Sequence, residues 1–230
     1  MSETSKNCIL FFVKDPVRGA VKSRLAAGLD DGIALELYQH FVLDMLATSD
    51  RCSARCIICV HPAGALKKIR NWLGAERHCL PQEGRDLGER MKNGFRRAFD
   101  LHYENVVLIG SDIPDLPLSL LNLAFRMLKK NDAVIGPAHD GGYYLIGFRK
   151  AGFIPDAFTG VAWGGRTVLR ETLDRLKKTG CTLHRLPAWS DVDDLADVMR
   201  LLQRNKARKR ACSRTISYLA RIEDALKHRP

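Results

Sequence analysis

The sequence predicts an α/β fold in which helices cover both faces of a mainly parallel sheet. Apolar, β-rich runs alternate with amphipathic helical patterns along most of the 230 residues, which is typical of such sheets. Hydrophobic residues make up 46% of the chain, enough for one sizeable core, and no break in composition near the middle indicates a second domain. We therefore expect one domain over residues 1–202 and a basic helical extension over residues 203–230.

Each element follows from a local pattern. The apolar run at 7–13 predicts the first strand, and the spacing of Ile33, Leu37 and Phe41 predicts one buried stripe of a helix over 32–49. The later patterns predict, in order, a strand at 55–61, a helix at 64–74, a short strand at 77–80, a helix at 86–101, a strand at 105–110, a helix at 119–130, strands at 132–138 and 143–148, a helix at 165–179, a strand at 181–187 and two basic helices.

The net charge of +11 belongs mainly to the end of the chain. Residues 200–230 contain ten Lys/Arg and two Asp/Glu, which leaves an excess of only three positive charges for the rest. A basic run can bind nucleic acid, but a solvated helix face is the commoner case. We therefore do not expect nucleic acid as a partner.

Composition also bears on the compartment. No run approaches the ~18 apolar residues of a membrane span, and the chain enters an apolar strand too early for a signal peptide. We expect a cytoplasmic protein with reduced thiols and no membrane partner. The spacing of Cys52, Cys56 and Cys59 can hold an iron–sulfur cluster, but strand positions three apart face opposite sides, so we predict buried or partly buried thiols.

A loop rich in cations follows the first strand. Lys14, Lys22 and Arg24 lie near Gly19, and phosphates bind where positive charge and exposed backbone N–H groups coincide. Open α/β sheets place their ligands at this edge. We predict a phosphate-binding loop, with a solvated basic loop as the alternative; the absence of G-x-G-x-x-G argues against a dinucleotide-dependent dehydrogenase.

Two acidic segments predict a metal site. Ser111 and Asp112 end a buried strand, and Mg²⁺ needs only one or two protein carboxylates beside phosphate oxygens and water. A second acidic run follows the last strand and contains Asp191, Asp193, Asp194 and Asp197. Capping of the next helix is the alternative for this run, and both roles can coexist among four carboxylates.

The segment GPAHDGGYYLIGF predicts a second side of the site. Asp140 precedes two glycines that let a ligand approach the backbone, and Tyr143 or Tyr144 could stack on a base or sugar. A plain hairpin turn is the alternative. Asp140 is our first candidate for a general base and His139 the second.

These motifs together resemble a known family. FVKDPVRGAVKSRLA, GSDIPDL, GPAHDGGYYLIGF, VAW…TVL and DVDDLADV occur between Asn7 and Leu202 in the order found in a bacterial family of uncharacterised glycosyltransferase-like proteins. That family belongs to the nucleotide-diphospho-sugar transferase superfamily, so the resemblance implies the GT-A fold, a three-layer α/β/α sandwich. The first segment also resembles 2-phospholactate guanylyltransferases.

The resemblance implies roles for individual residues. Asp112 and Asp193 would hold Mg²⁺ or Mn²⁺. Contacts to the nucleotide and its phosphates would come from Lys14, Gly19, Lys22, Arg24, Gln82, Gly88 and Ser111. The acceptor would lie against Gly141, Gly142, Tyr143 and Trp163.

Three positions depart from the family pattern. Ser23 replaces the usual threonine and keeps its hydroxyl, so the change should matter little. His139 stands where an acidic residue is frequent, and Gly165 stands after Trp163 where a Ser/Gly–Thr pair is common. Both change the hydrogen-bonding groups of the acceptor side, which leaves acceptor recognition open.

We predict a metal-dependent glycosyltransferase that uses a nucleotide-sugar donor and a small-molecule acceptor. The first alternative is a nucleotidyltransferase that releases pyrophosphate from an NTP, because the same charges serve both reactions. A nucleic-acid-binding protein and a nucleotide sensor are alternatives from other classes. The sequence is also compatible with a homodimer.

Overall fold

A computed structural model describes residues 6–207 and 213–222. Its strands are β1 (Asn7–Lys14), β2 (Arg55–His61), β3 (Cys79–Pro81), β4 (Asn105–Ile109), β5 (Ala133–Pro137), β6 (Tyr143–Arg149) and β7 (Leu183–Arg185). Its helices are α1 (Ser23–Gly28), α2 (Asp31–Asp50), α3 (Leu66–Leu73), α4 (Leu87–Asp100), α5 (Leu118–Leu128), α6 (Val168–Lys178), α7 (Leu195–Ala207) and α8 (Arg214–Arg221).

The strands form one sheet in the order β3-β2-β1-β4-β6-β5-β7. Within it only β6 is antiparallel to its neighbours, so the predicted mainly parallel sheet is confirmed. One face of the sheet packs with side chains of α2, α3 and α5, and the other packs with α4 and α6. The predicted three-layer sandwich is therefore also confirmed.

The topology brings distant loops to one edge of the sheet. Strands β1 to β4 run parallel, so the loops that follow them leave from the same edge. Because β6 is antiparallel, it starts at that edge, where Tyr143 pairs with Pro137 at the end of β5. The basic loop, both acidic segments and the glycine turn therefore meet there.

The C-terminal helices pack against the N-terminal part of the chain. Helix α7 runs through position 202, where we expected the domain to end, and α8 lies against α2 with a shared apolar cluster that includes Phe41 and Leu219. Asp44 of α2 accepts hydrogen bonds from the backbone N–H groups of Arg214 and Thr215, each at 2.9 Å. The other residues of the predicted basic extension, 208–212 and 223–230, lie outside the described part.

The described helices can be compared with two predictions from the sequence, the start of α6 and the absence of a membrane span. The helix expected from 165 begins at Val168, because Thr167 is its N-cap and the first helical hydrogen bond runs from Glu171 N–H to the Thr167 carbonyl oxygen at 2.9 Å. None of the described helices combines the length and the apolar character required to cross a membrane.

Candidate functional site

A cleft of about 530 Å³ opens at the edge where these loops meet. The predicted site residues that line it are Lys14, Lys22, Arg24, Gln82, Ser111, Asp112, Asp140, Gly142, Tyr143, Trp163 and Asp193. Four other candidates are not part of this lining: Gly19, Gly88, His139 and Gly141. The structure thus gathers most of the predicted residues, from six separate segments, into one cavity.

Lys22 connects the two acidic segments. Its Nζ lies 2.6 Å from Asp112 Oδ1 and 2.8 Å from Asp193 Oδ1, and it also donates to the carbonyl oxygen of Val192 at 2.8 Å. Burial alone would lower the pKa of Lys22, but the two carboxylates outweigh it and the pKa is raised. The ammonium therefore remains charged at neutral pH.

Asp193 lies at the centre of the charged groups. Its Oδ1 accepts from Lys22 and its Oδ2 accepts from Arg24. Its backbone N–H donates to Asp197 at 3.0 Å, while Asp194 and Asp197 form the hydrogen bonds that begin α7. The acidic run thus divides into one residue that faces the cleft cations and two that cap the helix, which confirms the cap, while metal binding by this run stays a prediction.

Three carboxylates converge beside this ion-pair network. One oxygen from each of Asp140, Asp191 and Asp193 lies within 4.8 Å of the others. Burial, and then the negative charges of Asp140 and Asp193, raise the pKa of Asp191 to about 6. Carboxylate oxygens are the ligands that Mg²⁺ and Mn²⁺ prefer, so the donors available here and at Asp112 suit such an ion.

Replacing Asp191 by asparagine should stabilise the metal-free protein at pH 8. The raised pKa means that ionised Asp191 is unfavourable in the folded state above pH 6, whereas near pH 4 the group is largely protonated in the folded protein. Because part of the side chain stays in solvent, we expect a gain of about 1 kcal/mol at pH 8 and little at pH 4. Urea unfolding in EDTA measures both values, and equal effects at the two pH values would contradict this explanation.

The glycine turn is fixed by close contacts. Asp140 Oδ1 accepts from the N–H of Gly142 at 2.8 Å, and Gly141 has a φ of 96°. A side chain at Gly141 would collide with the carbonyl group of Arg166, and the Gly141 carbonyl accepts from Leu169 N–H at 2.9 Å. Glycine is therefore required here to join the turn to the start of α6, and Asp140 is held toward the cleft.

The opposite side of the cleft is built by Gln82 and the start of α4. Gln82 Nε2 donates to the carbonyl oxygen of Cys59 at 2.8 Å, which fixes the amide at the end of β2. A Cβ at Gly88 would lie 2.5 Å from the carbonyl oxygen of Phe158 and 2.7 Å from Trp163 Nε1. Gly88 therefore contributes by letting Trp163 approach α4, rather than by lining the cleft itself.

Two aromatic side chains near the turn differ in their surroundings. Tyr143 lines the cleft, and its hydroxyl lies 4.0 Å from the sulfur of Met91. Tyr144 is buried and donates to the carbonyl oxygen of Pro187 at 3.0 Å, so its hydroxyl serves the packing of the sheet. His139 is exposed beside the turn, and its role as a base stays a prediction.

Sequence reasoning missed Arg90 and Tyr38. Arg90 lines the cleft from the first turn of α4, and its Nε donates to the carbonyl oxygen of Gly84 at 3.3 Å. The Tyr38 hydroxyl accepts from the N–H of Lys14 at 2.8 Å and so fixes the end of β1. The sequence could have indicated Arg90 as a site residue, because it lies two positions after the predicted site residue Gly88. Nothing in the sequence indicates a site role for Tyr38, which only belongs to the buried stripe of α2.

Comparison with known proteins places this chain among relatives of similar fold. A model of a family described as uncharacterized proteins conserved in bacteria (DUF2064) matches residues 43–165. A 3-phospho-D-glycerate guanylyltransferase of Phenylobacterium zucineum is 31% identical over 144 residues, which are 58% of this chain and 64% of that protein. The match thus spans less than two thirds of this curated relative.

Solved structures show the same fold. A Desulfovibrio desulfuricans protein described as a candidate nucleotide-diphospho-sugar transferase is 43% identical, with a TM-score of 0.94 over 97% of this chain and 98% of that one. A Mycobacterium tuberculosis protein in complex with manganese is 14% identical, with a TM-score of 0.55 over 87% of this chain and 100% of its own. The second likeness concerns the fold alone.

Proposed function

The chain belongs to the DUF2064 family of uncharacterized proteins conserved in bacteria, and we propose that it is a metal-dependent transferase whose nucleotide donor binds in the cleft. The observation that carries this proposal is the placement of two carboxylates and three cations in one cavity at the carboxyl ends of parallel strands: Asp112, Asp193, Lys14, Arg24 and Arg90. Phosphates require cations, a divalent ion requires carboxylates, and this edge of the sheet supplies both.

The metal would be Mg²⁺ or Mn²⁺, held by Asp112 and Asp193 with Asp140 and Asp191 nearby. The donor set consists of hard oxygen ligands, which fits these ions. When bound, such an ion neutralises the charge that develops on transferred or departing phosphate groups. Support for this assignment comes from the cluster of carboxylates formed by Asp140, Asp191 and Asp193.

The exposed cations of the cleft would bind the outer phosphate oxygens. Arg24 has a side chain that is 72% exposed, and Lys14 and Arg90 line the same cavity. Arginine can bind phosphate through two parallel hydrogen bonds, whereas lysine acts as a point charge. The acceptor would then approach from the side of Gly142, Tyr143 and Trp163.

Nucleotidyl transfer is the reaction that the site supports best. An oxygen of an acceptor phosphate would attack the α-phosphorus of an NTP, the bond from that phosphorus to the bridging oxygen would break, and pyrophosphate would leave. An anionic phosphate needs no general base, and here Asp140 holds the backbone of its own turn while His139 is not among the lining residues. The guanylyltransferase relative supports GTP as donor and a phosphorylated hydroxy acid as acceptor.

Glycosyl transfer from a nucleotide sugar is the second candidate. Its support is the 43% identical Desulfovibrio desulfuricans structure, which is described as a candidate nucleotide-diphospho-sugar transferase. In this reaction a hydroxyl oxygen of the acceptor would form a bond to the sugar carbon and lose its proton to a base, the bond from that carbon to the diphosphate would break, and a nucleoside diphosphate would leave. The two candidates therefore differ in where the nucleoside ends. In nucleotidyl transfer it is joined to the acceptor, whereas in glycosyl transfer it leaves as the nucleoside diphosphate.

The test is the product formed from each donor class. The protein should be incubated with Mg²⁺, 3-phospho-D-glycerate and either GTP or a GDP-sugar, and the phosphorus products followed by NMR. We expect pyrophosphate and a guanosine diphosphate linked to glycerate from GTP. Release of GDP from the sugar donor alone would favour glycosyl transfer, and binding of nucleotide without consumption of either donor class would contradict the enzyme proposal.

A further inference from the structure

Lys22 differs from the other cations of the cleft in being enclosed. Its side chain is only 6% exposed, and its backbone has a φ of 52° and a ψ of 44°, in the left-handed region that residues other than glycine rarely adopt. The aromatic ring of Phe41 lies 5.8 Å from the ammonium nitrogen. The chain thus accepts an uncommon backbone conformation at the residue whose ammonium lies between the two acidic segments.

The hydrogen-bonding capacity of Lys22 is fully used within the protein. An ammonium group has three N–H donors, and three acceptors lie within 2.8 Å: Asp112 Oδ1, Asp193 Oδ1 and the carbonyl oxygen of Val192. Without rearrangement, Lys22 therefore has no donor left for a phosphate. Arg24, by contrast, has a largely exposed side chain, and its guanidinium donates to Oδ2 of Asp193.

We propose that Lys22 is a positioning residue that acts as an internal counter-cation, holding Asp112 and Asp193 together and making metal binding depend on the nucleotide. The inference rests on the proposed function, because these are the carboxylates assigned to the metal. A second anchor accompanies the ion pairs: the N–H of Val192 donates to the carbonyl oxygen of Asp112 at 2.9 Å. Lys22 and this backbone bond together join the loop after β4 to the loop before α7.

The positive charge of Lys22 should weaken the binding of a free metal ion. A fixed positive charge in contact with both carboxylates repels a divalent cation and occupies the oxygens that would bind it. The phosphates of a nucleotide add negative charge at the same place, so a metal–nucleotide complex can displace the ammonium more readily than a free metal ion can. Free metal should therefore bind weakly, and metal and nucleotide should strengthen each other's binding equally.

The experiment compares Mn²⁺ binding by the full chain with and without GTP. Wild type, Lys22→Met and Arg24→Met are titrated with Mn²⁺ alone, followed by electron paramagnetic resonance of the free ion, and then with Mn²⁺ at saturating GTP. Lys22→Gln serves as a second uncharged variant, and thermal unfolding checks that each variant is folded. Arg24→Met is the matched control, because it also removes one positive charge from Asp193 but at an exposed position.

We expect Lys22→Met to bind Mn²⁺ alone at least about tenfold more tightly than wild type does. We also expect GTP to enhance Mn²⁺ binding less in this variant than in wild type. Arg24→Met should show a smaller gain. Unchanged or weaker binding of Mn²⁺ alone to folded Lys22→Met or Lys22→Gln would overturn the inference. If instead wild type bound no GTP with or without Mn²⁺, the proposed function would fail, while the comparison in Mn²⁺ alone would still decide the role of Lys22.

Discussion

Replacing Arg204 by methionine should destabilise the protein by about 3–5 kcal/mol, because it removes one partner of a buried ion pair. The side chain of Asp115 is only 4% exposed, and its oxygens accept from Arg204 Nε at 2.7 Å and from Nη2 at 2.9 Å. Trp189 Nε1 and Asn205 Nδ2 add hydrogen bonds at 3.2 and 3.1 Å. Methionine keeps much of the length of the arginine stem but removes its charge, and urea unfolding gives the free energy lost.

The matched control for this prediction is Arg200→Met on the same helix. Arg200 is 59% exposed and pairs with Asp197 near the helix surface, so its loss should change stability far less than the loss of Arg204. Similar small losses in both variants would mean that Asp115 reaches water or another cation. A large loss restricted to Arg204→Met would show that α7 is fixed to the loop after β4 by this buried pair.

Asp112→Asn should reduce the affinity for the metal–nucleotide complex by about 100-fold, while binding of nucleotide without metal should change little. Asparagine preserves the shape of the side chain and the backbone bond to Val192, so only the negative charge is removed. The Asp112 side chain is 46% exposed, which makes misfolding an improbable cause of the loss. The thermal shift caused by GTP with Mn²⁺ and by GTP with EDTA measures the two effects.

Asp174→Asn is the control for that loss. Asp174 is exposed on α6 and does not line the cleft, so removing its charge leaves the site intact while changing the net charge by the same amount. Wild-type behaviour of Asp174→Asn is expected. An equal fall in both variants would mean that the net charge of the protein, and not the position of Asp112, controls binding.

Much of the fold could be predicted from local pattern. The apolar run before Asp112 predicts β4 and its end. Pro114 and Pro117 then indicate a loop, because proline cannot donate to a central strand. Because parallel strands end at the same edge, the loops after β1 and β4 were expected to share a site, and they do. For the acidic run before α7 the sequence predicts a metal ligand and a helix cap; the cap is observed, and the metal ligand stays a prediction.

The contacts inside the site could not be predicted, because they depend on tertiary geometry. Lys22 contacts Asp193, 171 positions away, from a left-handed backbone conformation, and no local pattern requires lysine to adopt it. Asp115 lies in a predicted loop, and nothing near it indicates Arg204 as its partner. The burial of Tyr144 could not be predicted either. It follows from the position of β6 between β4 and β5 in the sheet, where Tyr143 and Tyr144 point to opposite faces.

The central claim is that the cleft binds a nucleotide through a divalent ion held by Asp112 and Asp193. Calorimetric titration of GTP into wild type and Asp112→Asn, each with Mn²⁺ and with EDTA, tests it most directly. We predict that Mn²⁺ strengthens GTP binding to wild type by at least about tenfold and has little effect on the variant. Equal GTP affinity in wild type and Asp112→Asn in the presence of Mn²⁺ would contradict the claim.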